Sequence, residues 1–549
     1  MNPSIAATTP AIADSVPRVT LIMTVRERFQ LTLSAIESVM ANTSMPFRFV
    51  FAAAQVPEWL RPGLAEVAQK YGISVVHNDL PLWPQEIRKK LAPSIDTEYV
   101  VFLDNDLLVY PDWLEALVRC ADETGAGLVG PLYLWGGGKA PPRVHMAGGT
   151  LDEITDGNRR VLSDKHIGRD ADPQQFPASL GREPCDFLEF HCMLFRTDLA
   201  QDPEVIDDRI VCIHEHIDVA LTVRKKGYAV LIDFGSRVLY RAFTPISLED
   251  LAVMRQRWTV AQMEKDIATF CAKWNVISDH RSFDDIRYFM NHIFPPIEPV
   301  RFGARQADLQ IPMQPGELVR TGNELLDLAA ARGYSIEEIR LLCQLVQLAQ
   351  SLMNGGYRPC GRPFLNHLVG TAGVLLRFDF RMDTVLAGLL HASYTHGRLP
   401  SAPGADAGPA IQKALGGMDS PIEGRVRAYT FRAQKSLRMH PGLTIAEAEI
   451  AAIAAANEID MRFSGEYDYS GRAAELDAEQ VATLAGIMRA LGVTGLADTL
   501  CAALQHHHAV RPELVTGIPA SYRLGPDLSR HSMINQIVQQ RAPAASGRQ

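Results

Sequence analysis

The sequence predicts two successive architectures, an α/β domain built on a mostly parallel sheet and then an all-α domain. Three observations carry this. Short β-branched runs alternate with helix-period segments from Val19 to about Asn275. A Pro-rich, aperiodic stretch, "FPPIEPVRFGARQADLQIPMQPGELV" (Phe294–Val319), then breaks the pattern. Beyond it the chain is Ala- and Leu-rich with helical spacing, and all six tryptophans lie before it. The expected organisation is a disordered leader over 1–17, the α/β domain over 18–275, a linker over 276–319, a helical domain over 320–525 and a flexible tail over 526–549.

In order, "RVTLIMTV" reads as a strand, "LTLSAIESVMANT" as a helix, "FRFVFAAA" as a strand and "WLRPGLAEVAQKYG" as a helix. "ISVVHND" is a third strand, followed by the basic helix "PQEIRKKLAPSI". "YVVFLDNDLLV" opens on a buried-strand run and leads Asp104 and Asp106 out of it, before a helix with Trp113, Leu114, Leu117 and Val118 on one side. "LWGGGKAPPRVHMAGGTLDEITDG" is Gly- and Pro-rich and reads as loops. "CDFLEFHCMLFRTDL" and "YAVLIDFGSRVLY" read as strands, with the helix "HIDVALTVRKKG" between them.

At 549 residues the chain is too long for one ordinary core. A net charge of −9, spread along the sequence, gives no electrostatic case for nucleic acid. Eight cysteines without a C-x-x-C point to a reducing compartment. No apolar run approaches the roughly 18 residues a membrane span needs. The expectation is a soluble, cytoplasmic protein, with peripheral membrane contact left open.

The Asp104–Asp106 pair sits where open α/β sheets place ligands, at the C-terminal end of a central strand. Two carboxylates on one face of that strand end suit a Mg²⁺ or Mn²⁺ ion, although Asp and Asn are also ordinary turn residues. Moving a sugar off a nucleotide diphosphate needs such a cation, because charge builds on the leaving diphosphate. Arg88 and Lys89 supply basic groups just upstream, or simply a solvated helix face. Glu215 and Asp218 offer a carboxylate base, or a favourable helix N-terminus through the dipole.

Taken in order, these segments resemble a family 2 glycosyltransferase with the GT-A fold, the Rossmann-like nucleotide-diphospho-sugar transferase architecture. "VTLIMTVRER" is similar to that family's opening strand, with Thr24 where proline is usual and Arg28 at a common basic position. "EIRKKL" is similar to its Ala-Arg-Asn helix, keeping Arg88 and carrying Lys89 for the Asn. "VVFLDND" resembles its metal-binding strand end, which implies that Asp106 binds the metal and that Asp104 lies near the ribose and metal. "CDFLEFHCMLFRTDL" resembles the acceptor-side strand ending at Arg196, with Phe190 and His191 replacing small residues. "HEHIDVALTVRKKGY" resembles its Glu-Asp helix, with His216 where the usual base falls, so the base is Glu215 or His216. The second strand, "FRFVFAAAQV", lacks the family's base-reading acids, which leaves Glu27 or Asp79 for that task.

In the second half, "RPFLNHLVGTAGVLLRFDFRMDTVLAGLLHASYTHG" resembles the metal-dependent HD phosphohydrolases through His367 and His391. The Asp of the family's His-Asp pair is Ala392, so the hallmark is broken, with His396 or Asp460 as replacement ligands. "QHHHAVRP" points three successive histidines in three directions and reads as a helix end. Cys185, Cys192 and Cys212 have no metal-ligand spacing.

The resemblance implies an inverting, metal-dependent, hexosyltransferase-like enzyme. It would move a sugar from a nucleotide-diphosphate donor to a saccharide, lipid or protein acceptor, with a non-catalytic helical domain appended. The alternatives are a nucleotide-sugar-binding scaffold with an inactive transferase half, or an HD-type phosphohydrolase. Asp106→Ala is expected to abolish manganese-dependent nucleotide binding with the fold intact.

Overall fold

The computed structural model describes residues 16–507, apart from 79–81, 137–140, 157–158, 279–297, 302–303, 305–306, 399–407, 433–439, 441 and 472. Asp79, His508, most of the expected leader and the whole expected tail lie outside the described residues. The chain divides into two compact units, Met1–Phe294 and Pro295–Gln549.

The first unit begins with parallel pairing. Strands β1 (Val19–Thr24), β2 (Phe47–Ala54), β3 (Ser74–Asn78) and β4 (Tyr99–Asp104) lie in the order β3-β2-β1-β4. Helices α1 (Thr32–Asn42), α2 (Leu60–Tyr71) and α3 (Pro84–Leu91) connect them. Every residue of β1 and of β4 is buried, as expected for central strands covered on both faces. Each fully buried Leu, Ile or Phe there contributes roughly 1.5–3 kcal/mol. The register pairs Thr24 with Asp104, so both strands end at one edge of the sheet.

The sheet is mixed rather than mostly parallel. After β5 (Leu107–Val109) and α4 (Trp113–Thr124) come β6 (Leu128–Trp135), β7 (Arg143–Met146), β8 (Gly149–Asp156) and β9 (Arg159–His166). They are followed by β10 (Arg182–Pro184), β11 (Cys192–Arg196), α5 (Thr197–Ala200), α6 (Glu215–Lys225) and β12 (Val230–Tyr240). β11 runs antiparallel to β4 and β6, because it returns through a long irregular connection instead of a crossover helix. Helices α7 (Leu251–Arg257) and α8 (Val260–Trp274) and the short β13 (Ile277–Ser278) close the unit.

The segment expected to be loops carries three strands, part of β6, then β7 and β8. β7 pairs with β6, and β8 pairs with β9 in a separate three-stranded sheet. Gly148 and Gly149 made this stretch read as loop, yet they are what lets the chain turn into β8. Gly148 has φ +83°, and a Cβ on Gly149 would overlap the Phe187 ring. Gly149→Ala should therefore cost about 1–3 kcal/mol of stability, read by urea unfolding.

The second unit is helical. Its central helix, Ile445–Phe463, is buried along almost its whole length. The helices Phe364–Arg377, Met382–Leu390 and Ala478–Ala490 pack around it. Within the expected linker, Val300 bridges to Phe380, and the Met313 N–H donates to Thr499 Oγ1 at 2.8 Å. Val300 and Met313 thus pack within this unit, although the sequence around them is Pro-rich and aperiodic.

Candidate active site

Asp104 and Asp106 are both fully buried. Between them, Asn105 ties the strand end to the loop after β1. Its Oδ1 accepts from Arg26 N–H at 3.0 Å, and its Nδ2 donates to Glu27 O at 3.2 Å and Thr32 Oγ1 at 3.1 Å. That loop delivers two arginines onto the carboxylates. Arg26 Nη1 donates to Asp104 Oδ2 at 2.6 Å, and Arg28 Nη1 to Asp106 Oδ2 at 3.2 Å. Arg88, on α3, lies 3.6 Å from Asp104 Oδ1 and stacks on Phe190, with 3.8 Å from its guanidinium carbon to the ring centre. His191 Nδ1 is 2.9 Å from Asp104 Oδ2.

Arg28 adopts left-handed backbone angles, φ 60° and ψ 50°, which a long L side chain rarely takes. The loop after β12 holds it there. Its guanidinium donates to Ala242 O at 2.8 Å and Thr244 O at 3.1 Å, while Asp250 accepts the next N–H, Phe29, at 3.1 Å. Such over-determined strain gathers at ligand clamps.

The electrostatics separate the two carboxylates. Burial alone would raise Asp104, yet Arg26, His191 and Arg88 hold it down to about 2. Burial pushes Asp106 up to about 6, with Arg28 offsetting only part and the charge on Asp104 adding to the rise. Among the described residues, Oδ1 of each carboxylate is buried without a hydrogen-bond partner. Those two oxygens fit a hard divalent cation, while the three guanidiniums fit phosphate.

Glu215 opens α6, after His214 in the left-handed conformation at φ 63°. Its Oε2 is buried without a hydrogen-bond partner, and its carboxylate acts electrostatically on Arg88. Burial would raise its pKa, but His216 and Arg88 leave it lowered. His216 lies 4.0 Å from Glu215 and 3.9 Å from Glu189. Burial would lower that imidazole, but the two carboxylates push it up to about 9, so it holds its proton at neutral pH.

Several expected site residues are engaged elsewhere. Asp218 accepts from Lys273 Nζ and Trp274 Nε1, both at 2.8 Å, so each of its oxygens is engaged in pinning α6 to α8. Asp218→Asn should cost about 1–3 kcal/mol in thermal unfolding and leave turnover near that of the parent chain. Thr24 Oγ1 donates to Leu103 O at 3.3 Å. Glu27 pairs with Arg257 at 2.8 Å, Lys89 donates to Pro203 O and Ile206 O, and Arg196 pairs with Asp198.

The spacing of motifs missed Arg26, the cation nearest Asp104, and missed a second cluster of His145, His166 and Glu189. The signal for Arg26 is its place in "TVRER", where two arginines follow the strand that pairs with the one ending at Asp104. His145 falls in the segment read as loops, and His166 lies nine residues beyond it, in β9.

In the helical unit, His367, His391 and Asp460 do come together. His367 Nδ1 is 2.6 Å from Asp460 Oδ2, and the two imidazole rings are centred 5.2 Å apart. Arg362 also binds Asp460, so a guanidinium already occupies that carboxylate. Burial lowers His391 to about 4 and raises Asp460 to about 6. His396 instead bonds Thr395 Oγ1 at 2.8 Å. His507 stands 3.6 Å from Asp468, outside any cluster of three ligands among the described residues.

Residues 20–200 match the family model described as Glycosyl transferase family 2. No curated protein matches the chain. Among solved structures, the chain is similar to GalNAc-T7 with UDP, GalNAc and Mn²⁺, at 14% identity and a TM-score of 0.33. That match covers 51% of this chain and 57% of the other, less than two thirds of its length. It is also similar to residues 1–349 of TarS from S. aureus, at 13% identity and a TM-score of 0.28, covering 67% of this chain and 90% of that one. At those scores neither structure bears on the chemistry.

Proposed function

We propose that the first unit is an inverting, metal-dependent glycosyltransferase that moves a sugar from a nucleotide-diphosphate donor to an acceptor hydroxyl. The observation that carries this is the meeting of Arg26, Arg28 and Arg88 with Asp104 and Asp106 at the sheet edge, inside a segment that matches a glycosyltransferase family. Asp106, with Asp104 beside it, would hold Mg²⁺ or Mn²⁺ through their unpartnered oxygens. Bound there, the ion neutralises charge on the leaving diphosphate.

Arg28 and Arg88 bind phosphate oxygens, and Arg26 keeps Asp104 ionised. Glu215 takes the acceptor proton, since it is ionised and its Oε2 has only the long 4.0 Å contact to His216, whereas His216 is already protonated. A screen of nucleotide-diphosphate sugars for Mn²⁺-dependent hydrolysis tests this. Turnover of one donor, lost in Asp106→Asn, is the expected result. Metal-dependent donor binding without any turnover would favour the scaffold reading.

The helical unit is then a divergent HD-like domain used for binding or regulation. Ala392 offers no ligand where a carboxylate belongs, and Arg362 holds Asp460. The full chain with Mn²⁺ should leave alarmones and cyclic nucleotides uncut. Turnover of either, abolished by His391→Ala, would make the phosphohydrolase reading correct.

A further inference from the structure

A second group of ligand-type side chains lies beside the aspartates, and the chemistry above uses only its Glu189, as a charge beside His216. His145 comes from β7, His166 from the end of β9, and Glu189 from the segment leading into β11. Their ligand-capable atoms all lie within 4.8 Å of one another, and no other described residues form such a group. His166 Nε2 is 3.3 Å from Glu189 Oε1. His145 is only 8% exposed, and its Nδ1 is buried with no hydrogen-bond partner among the described residues, as is Nδ1 of His166. Buried polar atoms are nearly always partnered, and two such atoms in one cluster call for a ligand.

The surroundings hold the three in place. Tyr133 Oη donates toward the carbonyls of Glu189 at 3.0 Å and Cys192 at 2.7 Å, fixing the segment that carries the carboxylate. The Phe187 ring packs 5.8 Å from His166 and 5.6 Å from His216, over the space left by Gly149. His145 packs 5.4 Å from His191, which contacts Asp104, so the group adjoins the donor carboxylates through one side chain.

We propose that His145, His166 and Glu189 form a second divalent-cation site, one that selects a zinc-class ion. Two imidazole nitrogens and one carboxylate suit Zn²⁺ or Co²⁺, whereas the oxygen-only pair Asp104 and Asp106 suits Mg²⁺ or Mn²⁺. Tetrahedral ligands at zinc distances stand about 3.4 Å apart, so the widest gap closes by no more than about 1.5 Å. Three protein ligands leave a coordination position for water or an alcohol hydroxyl. His216 stands 3.9 Å from Glu189, one of the three.

The test uses the full chain, stripped with a chelator and titrated with Co²⁺. One equivalent should give the intense visible bands of a tetrahedral ion, displaced by Zn²⁺ and not by Mg²⁺. The bands should persist in Asp106→Asn and after replacement of His506, His507 and His508 by alanine. They should be lost in His166→Ala and in Glu189→Gln, with far-ultraviolet circular dichroism confirming the fold. Absence of intense bands in the parent chain would overturn the proposal, whatever the variants do. So would bands that survive both ligand substitutions, or a thiolate charge-transfer band assigning the ion to cysteine. Neither failure would touch the Mn²⁺-dependent donor reading, which is measured separately.

Discussion

Asp104→Ala is expected to lower the stability of the first unit by about 3–5 kcal/mol, the scale found when one partner of a buried ion pair is removed. The carboxylate is fully buried, and Arg26, Arg88 and His191 converge on it at 2.6, 3.6 and 2.9 Å. Its loss takes from two guanidiniums inside the protein their nearest counter-charge, leaving Glu27 and Asp106 for Arg26 and Glu215 for Arg88. Urea unfolding followed by tryptophan fluorescence reads this unit alone, because all six tryptophans lie before residue 295. A shift below 1 kcal/mol would mean that water reaches the cluster freely. With Arg26, Arg88 and His191 around its buried carboxylate, Asp104 is expected to serve the fold as well as any ligand. Among the described residues the Asp106 carboxylate has one ion-pair partner, Arg28, so Asp106→Asn is the variant expected to separate any loss of metal binding from a loss of folding.

Glu215→Gln should reduce kcat by about 10²–10⁴-fold while changing the donor KM only a few-fold, because proton removal belongs to the transition state. His216→Gln should have a smaller effect, since that imidazole is protonated between Glu189 and Glu215 and serves them as a counter-charge. Steady-state kinetics on the identified donor decide between them. Near-normal turnover in Glu215→Gln, together with loss in His216→Ala, would move the base to the histidine.

Where burial alternates simply, the sequence was readable. β1, β2, β3 and β4 and the helices between them fall where apolar spacing places them, since each strand is one unbroken run ending at a polar turn. β7 and β8 were hidden because glycines at a close approach look the same as glycines in a loop. The direction of β11 was hidden for another reason. A strand's own residues do not encode whether its neighbour runs with or against it.

At the candidate site, the sequence singles out Asp104, Asp106, Arg88 and Glu215, whereas the partners that surround them leave no mark in it. Asp218 and Glu27 carry the right chemistry for catalysis or base reading, yet Lys273 with Trp274, and Arg257, claim them from far along the chain. Pairing across 55 residues or more leaves no trace in local spacing. The meeting of His367 with Asp460, 93 positions apart, is of the same kind.

One carboxylate in α8 sets a limit on how short a working enzyme can be. A single oxygen of Asp266 accepts the N–H groups of Val211, Cys212 and Ile213, at 3.2, 2.7 and 3.1 Å. Those three amides immediately precede His214 and Glu215, so the acidic residue at the head of α6 is aimed from a point some fifty positions downstream. Truncation at residue 200, where the family match stops, would remove Glu215 itself. Truncation after Arg257 would keep Glu215 and release the peptide that points it. The shortest fragment expected to transfer sugar therefore runs through Trp274, which also retains the Lys273 anchor of α6.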